Sequence, residues 1–211
     1  HEDATGALTT SYSYAWHPNS LQIEQRVTTL PAVPAAQGGA GSSATRTERF
    51  DTQGNLIWSQ DERGFITYHE FAAVQQVVTR TIQDVDGTRL TLPSGWSTPA
   101  GGGLHLVTDY RYDLRGRQIQ SLGPEHVVDL AGVATTVRTA SWTVQQDADR
   151  ETRAAQGYYV PATESYVLVN PVSITHRDAA GTRSASIQAT RASTAGALSA
   201  ALLTLPAPAQ E

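Results

Sequence analysis

The 211-residue sequence contains no cysteine, no lysine and no methionine. Without cysteine, disulfide frameworks and thiolate metal sites are excluded. All 15 basic residues are arginines, scattered among 20 acidic residues, and the formal net charge is −5. Because nucleic-acid binding needs clustered positive charge to neutralise phosphates, we expect no nucleic-acid partner.

Long apolar runs are also missing. No stretch of 18 apolar residues occurs, so we expect no membrane-spanning helix. The chain begins at His1 without a basic-then-apolar signal region, and we interpret it as a segment of a longer polypeptide. Charged residues make up 17% and hydrophobic residues 39%, a balance that favours a folded domain over a disordered one.

Period-two alternation of apolar and polar residues predicts an all-β fold, an extended antiparallel sheet of successive β-hairpins. Residues 1–30 are predicted to form an N-terminal hairpin, in which Tyr12, Tyr14 and Trp16 share one face of the first strand. Residues 31–45, rich in proline, glycine, alanine and serine, predict a flexible linker or loop.

From residue 46 the strand pattern resumes and continues to residue 190. Within this strip we predict a short strand over 88–92, a break at Gly123-Pro124 and a strand end at Asn170-Pro171, because proline cannot donate to a ladder. The tail, residues 191–211, is rich in alanine and leucine and is predicted to be either two helical turns or an unpaired strand.

The strip repeats the pattern Asp-x-x-Gly followed by a short β-prone run. Aspartate at the first position can accept hydrogen bonds from backbone amides further on, and glycine at the fourth accepts positive φ without steric cost. Six such segments in one chain indicate a repeat protein with irregular spacing. They begin at Asp51, Asp61, Asp84, Asp113, Asp129 and Asp178.

At Tyr112-Asp113-Leu114-Arg115-Gly116-Arg117 the chain resembles the Rhs/YD-repeat family, whose signature is Tyr-Asp, two residues, then Gly-Arg. The segment 50–55 matches with phenylalanine for tyrosine and asparagine for arginine, 61–68 resembles the second half of that repeat, and 178–183 is a looser copy. The resemblance covers roughly residues 46–190. It assigns structural turn roles to Asp51, Gly54, Asp61, Gly64, Tyr112, Asp113, Gly116, Arg117, Asp178 and Gly181.

The resemblance implies a strip that spirals into a hollow bacterial shell, secreted or at the cell surface, able to enclose a toxic polypeptide. Its partners would be the remainder of the parent polypeptide and an encapsulated toxin domain. The family's self-cleaving Asp-Pro motif has no counterpart, since no Asp-Pro occurs here. These residues would then be non-catalytic wall, and we expect Arg117 to reach a neighbouring hairpin.

Residue patterns for chemistry are weak. Neither Asp84–Gly87 nor the acidic run 147–151 completes a calcium loop, and no histidine pair has metal-ligand spacing, so we expect no metal, no cofactor and no enzyme activity. The alternative function is an extracellular β-repeat module that binds carbohydrate or a cell surface, with a surface glycan as partner, through aromatic side chains. Its candidate ligand-binding residues are Trp96, which lies in a Pro/Gly-rich loop, and Trp142.

Overall fold

A computed structural model describes residues 9–148 and 150–190 of the chain. The predicted fold class is confirmed: the described strands form one open antiparallel sheet, and their order in the sheet follows the chain. The strands are Ser11–Trp16 (β1), Ile23–Thr29 (β2), Thr45–Phe50 (β3), Leu56–Gln60 (β4), Ile66–Phe71 (β5), Val78–Gln83 (β6), Leu106–Tyr112 (β7), Gln118–Leu130 (β8), Val133–Gln146 (β9), Glu151–Val160 (β10), Ser165–Arg177 (β11) and Ser184–Ala189 (β12). Single 3-10 turns occupy Ala35–Gln37 and Pro161–Thr163.

The contacts divide the chain into two compact units, His1–Leu106 and Val107–Glu211. In the first unit, β1 pairs with β2 and β2 pairs with β3. Of the two alternatives predicted for 31–45, a linker or a loop, the pairing of β2 with β3 favours a loop between adjacent strands, and Thr45 already belongs to β3.

The core of the first unit lies on one face of its strands. Cross-strand partners Trp58 and Tyr68 stack with their ring centroids 4.5 Å apart, and Ile66 and Ile82 are buried. The long connection between β6 and β7 adds Val85, which is fully buried. A loop without strands thus supplies part of the apolar surface that covers the sheet.

The predicted strand over 88–92 is absent, because that segment belongs to the β6–β7 connection. The base of this loop is closed by Asp84: its carbonyl accepts the His105 amide at 2.7 Å, and its Oδ2 accepts the Leu104 amide at 2.9 Å. Gly103 lies so close to the backbone of Asp84 and Val85 that a Cβ at this position would overlap with it. These contacts hold the segment in a loop, so the alternation of apolar and polar residues over 88–92 does not produce a strand.

The core of the second unit is a cluster on one face of β8 to β11. Its buried members are Leu122, Ala140, Trp142, Ala155, Val172 and Ile174. Tyr159 and Tyr166 extend it, with their ring centroids 4.7 Å apart. Alternate residues of long strands therefore supply the buried surface, as a half-buried antiparallel sheet requires.

Two prolines that we expected to end strands lie inside long ones. Pro124 falls within β8, where the pairing with β9 shifts register between Leu122 and Glu125. Pro171 falls within β11, opposite the register shift between Ala154 and Gln156 of β10. A bulge leaves a residue out of the ladder, so a proline without an N–H is accommodated there and the strand continues.

The predicted tail over 191–211 and the first eight residues of the predicted N-terminal hairpin lie outside the described residues.

Candidate functional site

The turns that begin at Asp51, Asp61 and Asp113 share one geometry. In each, the aspartate amide donates to the carbonyl four residues later at 2.9–3.0 Å, and the glycine amide donates to the aspartate carbonyl at 3.0–3.1 Å. The aspartate Oδ1 accepts the amides two and four residues on at 2.8–2.9 Å. The glycines have φ of 89°, 87° and 75°, which makes each loop a type I turn closed by a left-handed glycine.

The aromatic residue before the aspartate also has a fixed place. Phe50 pairs with Leu56, and Tyr112 pairs with Gln118, each immediately after a register shift. Both side chains are half-buried, and burial raises the pKa of the Tyr112 hydroxyl. The aromatic-Asp-x-x-Gly pattern therefore corresponds to one local structure, a bulge followed by a capped hairpin loop.

Hydrogen bonds lower the pKa of two of these carboxylates, Asp113 and Asp51. The amide and then the guanidinium of Arg117 hold the pKa of Asp113 below its usual value, against a smaller opposing effect of desolvation. At Asp51, desolvation acts to raise the pKa, but the combined bonds from Asn55, Gln53 and Gly54 outweigh it and lower the pKa. Each carboxylate accepts hydrogen bonds from donors of its own turn, so its charge stabilises the loop.

The other three segments differ from this geometry. At Asp178 the loop is one residue longer, because its amide donates to the carbonyl of Arg183 at 3.0 Å. At Asp129 the paired residues are Leu130 and Val133, and the two residues between them both have positive φ, as in a type I′ hairpin. The hairpin turn predicted at Asp84 is wrong, because β6 ends there and β7 begins only at Leu106.

Arg117 links two hairpins of the second unit, as we expected. Its Nε donates to Asp113 Oδ2 at 2.6 Å, and its Nη1 donates to Gln145 Oε1 and Asp147 Oδ1, both at 2.7 Å. Arg115 adds a second ion pair to Asp147 at 2.7 Å. The network ties the β7–β8 turn to the β9–β10 turn, so neighbouring repeats are joined by side chains as well as by the backbone ladder.

The two candidate sugar-binding tryptophans have different surroundings. Trp142 is only 7% exposed, and its ring packs edge-on against Tyr166 with centroids 5.9 Å apart. A ring buried in the core exposes little of its surface to a sugar, and this burial argues against Trp142 as a ligand-binding residue. Trp96 is partly exposed and lies edge-on to Trp58 at 6.5 Å, on the β6–β7 loop.

An open cleft of about 460 Å³ lies beside Trp58 in the first unit. Two pairs of its polar groups are in contact: Arg49 donates to Glu24 at 2.6 Å, and His17 Nε2 lies 3.0 Å from the Phe50 carbonyl oxygen. The cleft is lined by the aromatic ring of Trp58 and by the Arg49–Glu24 ion pair.

Within residues 9–148 and 150–190, no three carboxylate or imidazole side chains lie close enough together to share a metal ion. None of the helical segments in this part of the chain has the length and apolarity to cross a bilayer. No family model matches the sequence, and no curated protein is significantly similar to it.

Sequence reasoning missed Arg138, a largely buried arginine in β9. Its Nη2 lies 2.9 Å from Asp109 Oδ2, and the guanidinium also donates to the carbonyls of Val107, Leu122 and Gly123 at 2.7–3.1 Å. The guanidinium thereby satisfies backbone oxygens around the bulge in β8, beside Pro124. Two features of the sequence could have indicated this contact: a single arginine in a Thr/Val-rich strand, and a Gly-Pro pair in the strand before it.

Proposed function

We propose that this chain is a non-catalytic wall segment of a larger Rhs/YD-repeat polypeptide, contributing strands to a shell that encloses a toxin or other polypeptide cargo. The observation that carries the proposal is the shared geometry of the turns at Asp51, Asp61 and Asp113 in a sheet whose strands follow chain order. Each hairpin is marginal alone and gains stability from its neighbours, which suits an extended wall.

The distribution of polar groups supports a structural role. The turn carboxylates accept hydrogen bonds from donors of their own loops, and Arg117 forms ion pairs with Asp113 and Asp147. Groups used in this way stabilise hairpins and the contacts between them. Secretion or display at the cell surface is the location that such a shell requires.

The test is the parent polypeptide, imaged by single-particle electron microscopy. The proposal expects residues 46–190 to lie in the wall of a closed shell and an enclosed segment to resist protease until the shell is opened. A parent in which this sheet stands alone, with no lumen beside it and no protected segment, would overturn the proposal.

A second candidate is glycan binding in the first unit, favoured by the partly exposed Trp96 beside the Trp58 cleft. Aromatic faces stack on sugar rings, and Trp96 lies on a loop where its substitution spares the strand ladder. Glycan-array binding that disappears in Trp96→Ala would support it. Binding that is absent, or unchanged in Trp96→Ala, would eliminate this surface.

A further inference from the structure

A cleft of about 570 Å³ in the second unit lies between the β9–β10 turn and the β11–β12 turn. Two exposed arginines, Arg150 and Arg177, are among the residues that line it. The Arg177 amide donates to the Arg150 carbonyl at 3.0 Å, so the two residues lie opposite each other at the end of the β10–β11 ladder. The backbone therefore brings two positively charged residues together at one cleft.

This juxtaposition of like charges departs from the rest of the sheet. Like charges directly opposite each other destabilise a β-ladder, whereas opposite charges stabilise it. In the described part of the chain, neither Arg150 nor Arg177 forms an ion pair. Wherever else a described register places an arginine opposite a charged residue, that residue is acidic: Arg26 with Glu48, Arg80 with Glu70, and Arg138 with Glu125.

The carboxylates that border the cleft have donors of their own. Asp147 accepts the two arginines of the β7–β8 turn at 2.7 Å. Asp178 accepts the amide and the hydroxyl of Thr182 at 2.8 and 2.9 Å, and Glu151 is paired with the buried Arg153. Because these acids are engaged, an anion that enters the cleft meets two guanidinium groups that have no carboxylate partner among the described residues.

The β11–β12 turn adds a backbone donor. In the turns at Asp51, Asp61 and Asp113, the amide two residues after the aspartate donates to its Oδ1. The turn at Asp178 is one residue longer, and there only the amide four residues on donates to Oδ1. The amide of Ala180, which also lines the cleft, has no hydrogen-bond partner within the described ranges. An exposed N–H of this kind is a further donor for an anion.

We propose that this cleft binds a tetrahedral oxyanion, a phosphate or sulfate group, between the guanidinium groups of Arg150 and Arg177. Guanidinium groups bind phosphate oxygens through pairs of charge-assisted hydrogen bonds, and they stay protonated in proteins. A doubly charged anion replaces the repulsion between the two arginines by two attractive pairs. The cleft is open and polar, so it admits the group either as a free ion or as a substituent of a sugar. The inference holds whether or not the chain belongs to a shell.

Nuclear magnetic resonance titration of the protein with inorganic phosphate, at an ionic strength held constant with sodium chloride, tests this site. The amide resonances of residues 150, 177 and 180 should shift and saturate with one dissociation constant. Arg150→Gln and Arg177→Gln should each raise that constant by at least about tenfold, because each removes one of the two charged donors. A parallel titration with glucose 6-phosphate distinguishes the sources. Tighter binding than that of inorganic phosphate assigns a group carried on a sugar, and equal or weaker binding assigns the free ion.

Arg63→Gln is the matched control. Arg63 is an exposed arginine in the β4–β5 turn of the first unit, and it forms no ion pair within the residues that the structure describes. The variant makes the same change in net charge and should bind phosphate like the wild type. Shifts that do not saturate, or affinity that Arg63→Gln lowers as much as Arg150→Gln does, would assign a nonspecific charge effect and overturn the proposal.

Thermal melting in phosphate-free buffer of low ionic strength gives an independent readout. Arg150→Gln and Arg177→Gln should melt at or above the wild-type temperature, because each removes one member of a like-charge pair. Added phosphate should then raise the melting temperature of the wild type and of Arg63→Gln, and not that of the two cleft variants. Cleft variants that melt below the wild type without phosphate would show that the protein itself satisfies these arginines, and would overturn the proposal.

Discussion

Gly157 in β10 is the position where one added methyl group should do the most damage. A Cβ there would overlap with the carbonyl oxygen of Val167 in the adjacent strand, and it would lie 3.0 Å from both Leu168 Cα and Trp142 Cζ3. Two of these three neighbours are backbone atoms, which a side-chain rotation cannot move away. Overpacking of a well-packed site typically costs about 1–3 kcal/mol. We expect Gly157→Ala at the upper end, about 3 kcal/mol, because the β10–β11 ladder itself must shift.

Gly123→Ala is the matched control in the same unit. Its Cβ would lie 3.5 Å from the Thr139 carbonyl oxygen, an ordinary contact, and the backbone there does not have positive φ. A compatible Gly→Ala change stabilises by about 0.4–1 kcal/mol through the unfolded chain. Urea unfolding followed by far-ultraviolet circular dichroism measures both variants. If Gly157→Ala were as stable as Gly123→Ala, the close packing of Trp142 over Gly157 would be refuted.

Three further predictions concern two turn residues, Gly116 and Asp51, and one histidine, His69. Gly116→Ala should lower the free energy of unfolding in urea by about 1–2 kcal/mol, because φ at this position is +75° and no neighbour obstructs the new Cβ. Gly116→Asn should lower it by less, because asparagine tolerates the left-handed conformation. Equal losses for the two variants would contradict the turn assignment. The pKa of Asp51 is lowered in the folded protein, so its charge stabilises the fold above the unfolded value of 3.8, and this contribution is lost as the pH falls through the folded-state pKa. Asp51→Asn should therefore melt below wild type at pH 7, and the difference should narrow as the pH is lowered below 3.8; a difference that does not change with pH would contradict a role for the charge. Burial lowers the pKa of His69 below 6.5, so on acidification the unfolded chain binds this proton before the folded chain does, and the stability of the fold decreases as the pH drops below 6.5. The melting temperature should therefore fall less for His69→Gln than for wild type between pH 7.5 and 5. An identical fall would contradict the burial of His69.

The features that the sequence predicts correctly are those set within a few residues of the chain. The hairpin loops at Asp51, Asp61 and Asp113 follow from an aspartate that accepts amides two and four residues on and a glycine in the left-handed region. None of these bonds depends on a distant residue. Period-two alternation likewise fixes the strand class, and short loops fix the antiparallel order.

The features that the sequence does not predict depend on residues far apart. Pro124 looks like a strand end until Arg138, 14 positions later, is seen to donate to the carbonyls of Leu122 and Gly123 beside it. In the sequence Trp142 is a candidate ligand-binding aromatic, but in the structure Gly157, which has no side chain, leaves room for its ring in the core. The local pattern at 84–87 also matches the other turns, but Asp84 is engaged with Leu104 and His105 across a loop of 20 residues.

Local turns and contacts between repeats make separate contributions to the sheet. A loop whose bonds are all internal can form at a single hairpin without support from its neighbours. Side chains also tie hairpins to one another, and between the β7–β8 and β9–β10 turns one such contact is Arg117 with Asp147. Arg117→Gln should therefore leave the loop at Asp113 formed, because the Arg117 amide still donates to Asp113. The β7–β8 and β9–β10 turns should lose the Arg117 bonds and retain the Arg115–Asp147 ion pair, so that their link is weakened. Hydrogen exchange should then show faster opening at the β9–β10 turn and little change in the loop amides of 115–117. Faster exchange confined to the Asp113 loop would mean that Arg117 serves its own turn and not the joining of repeats.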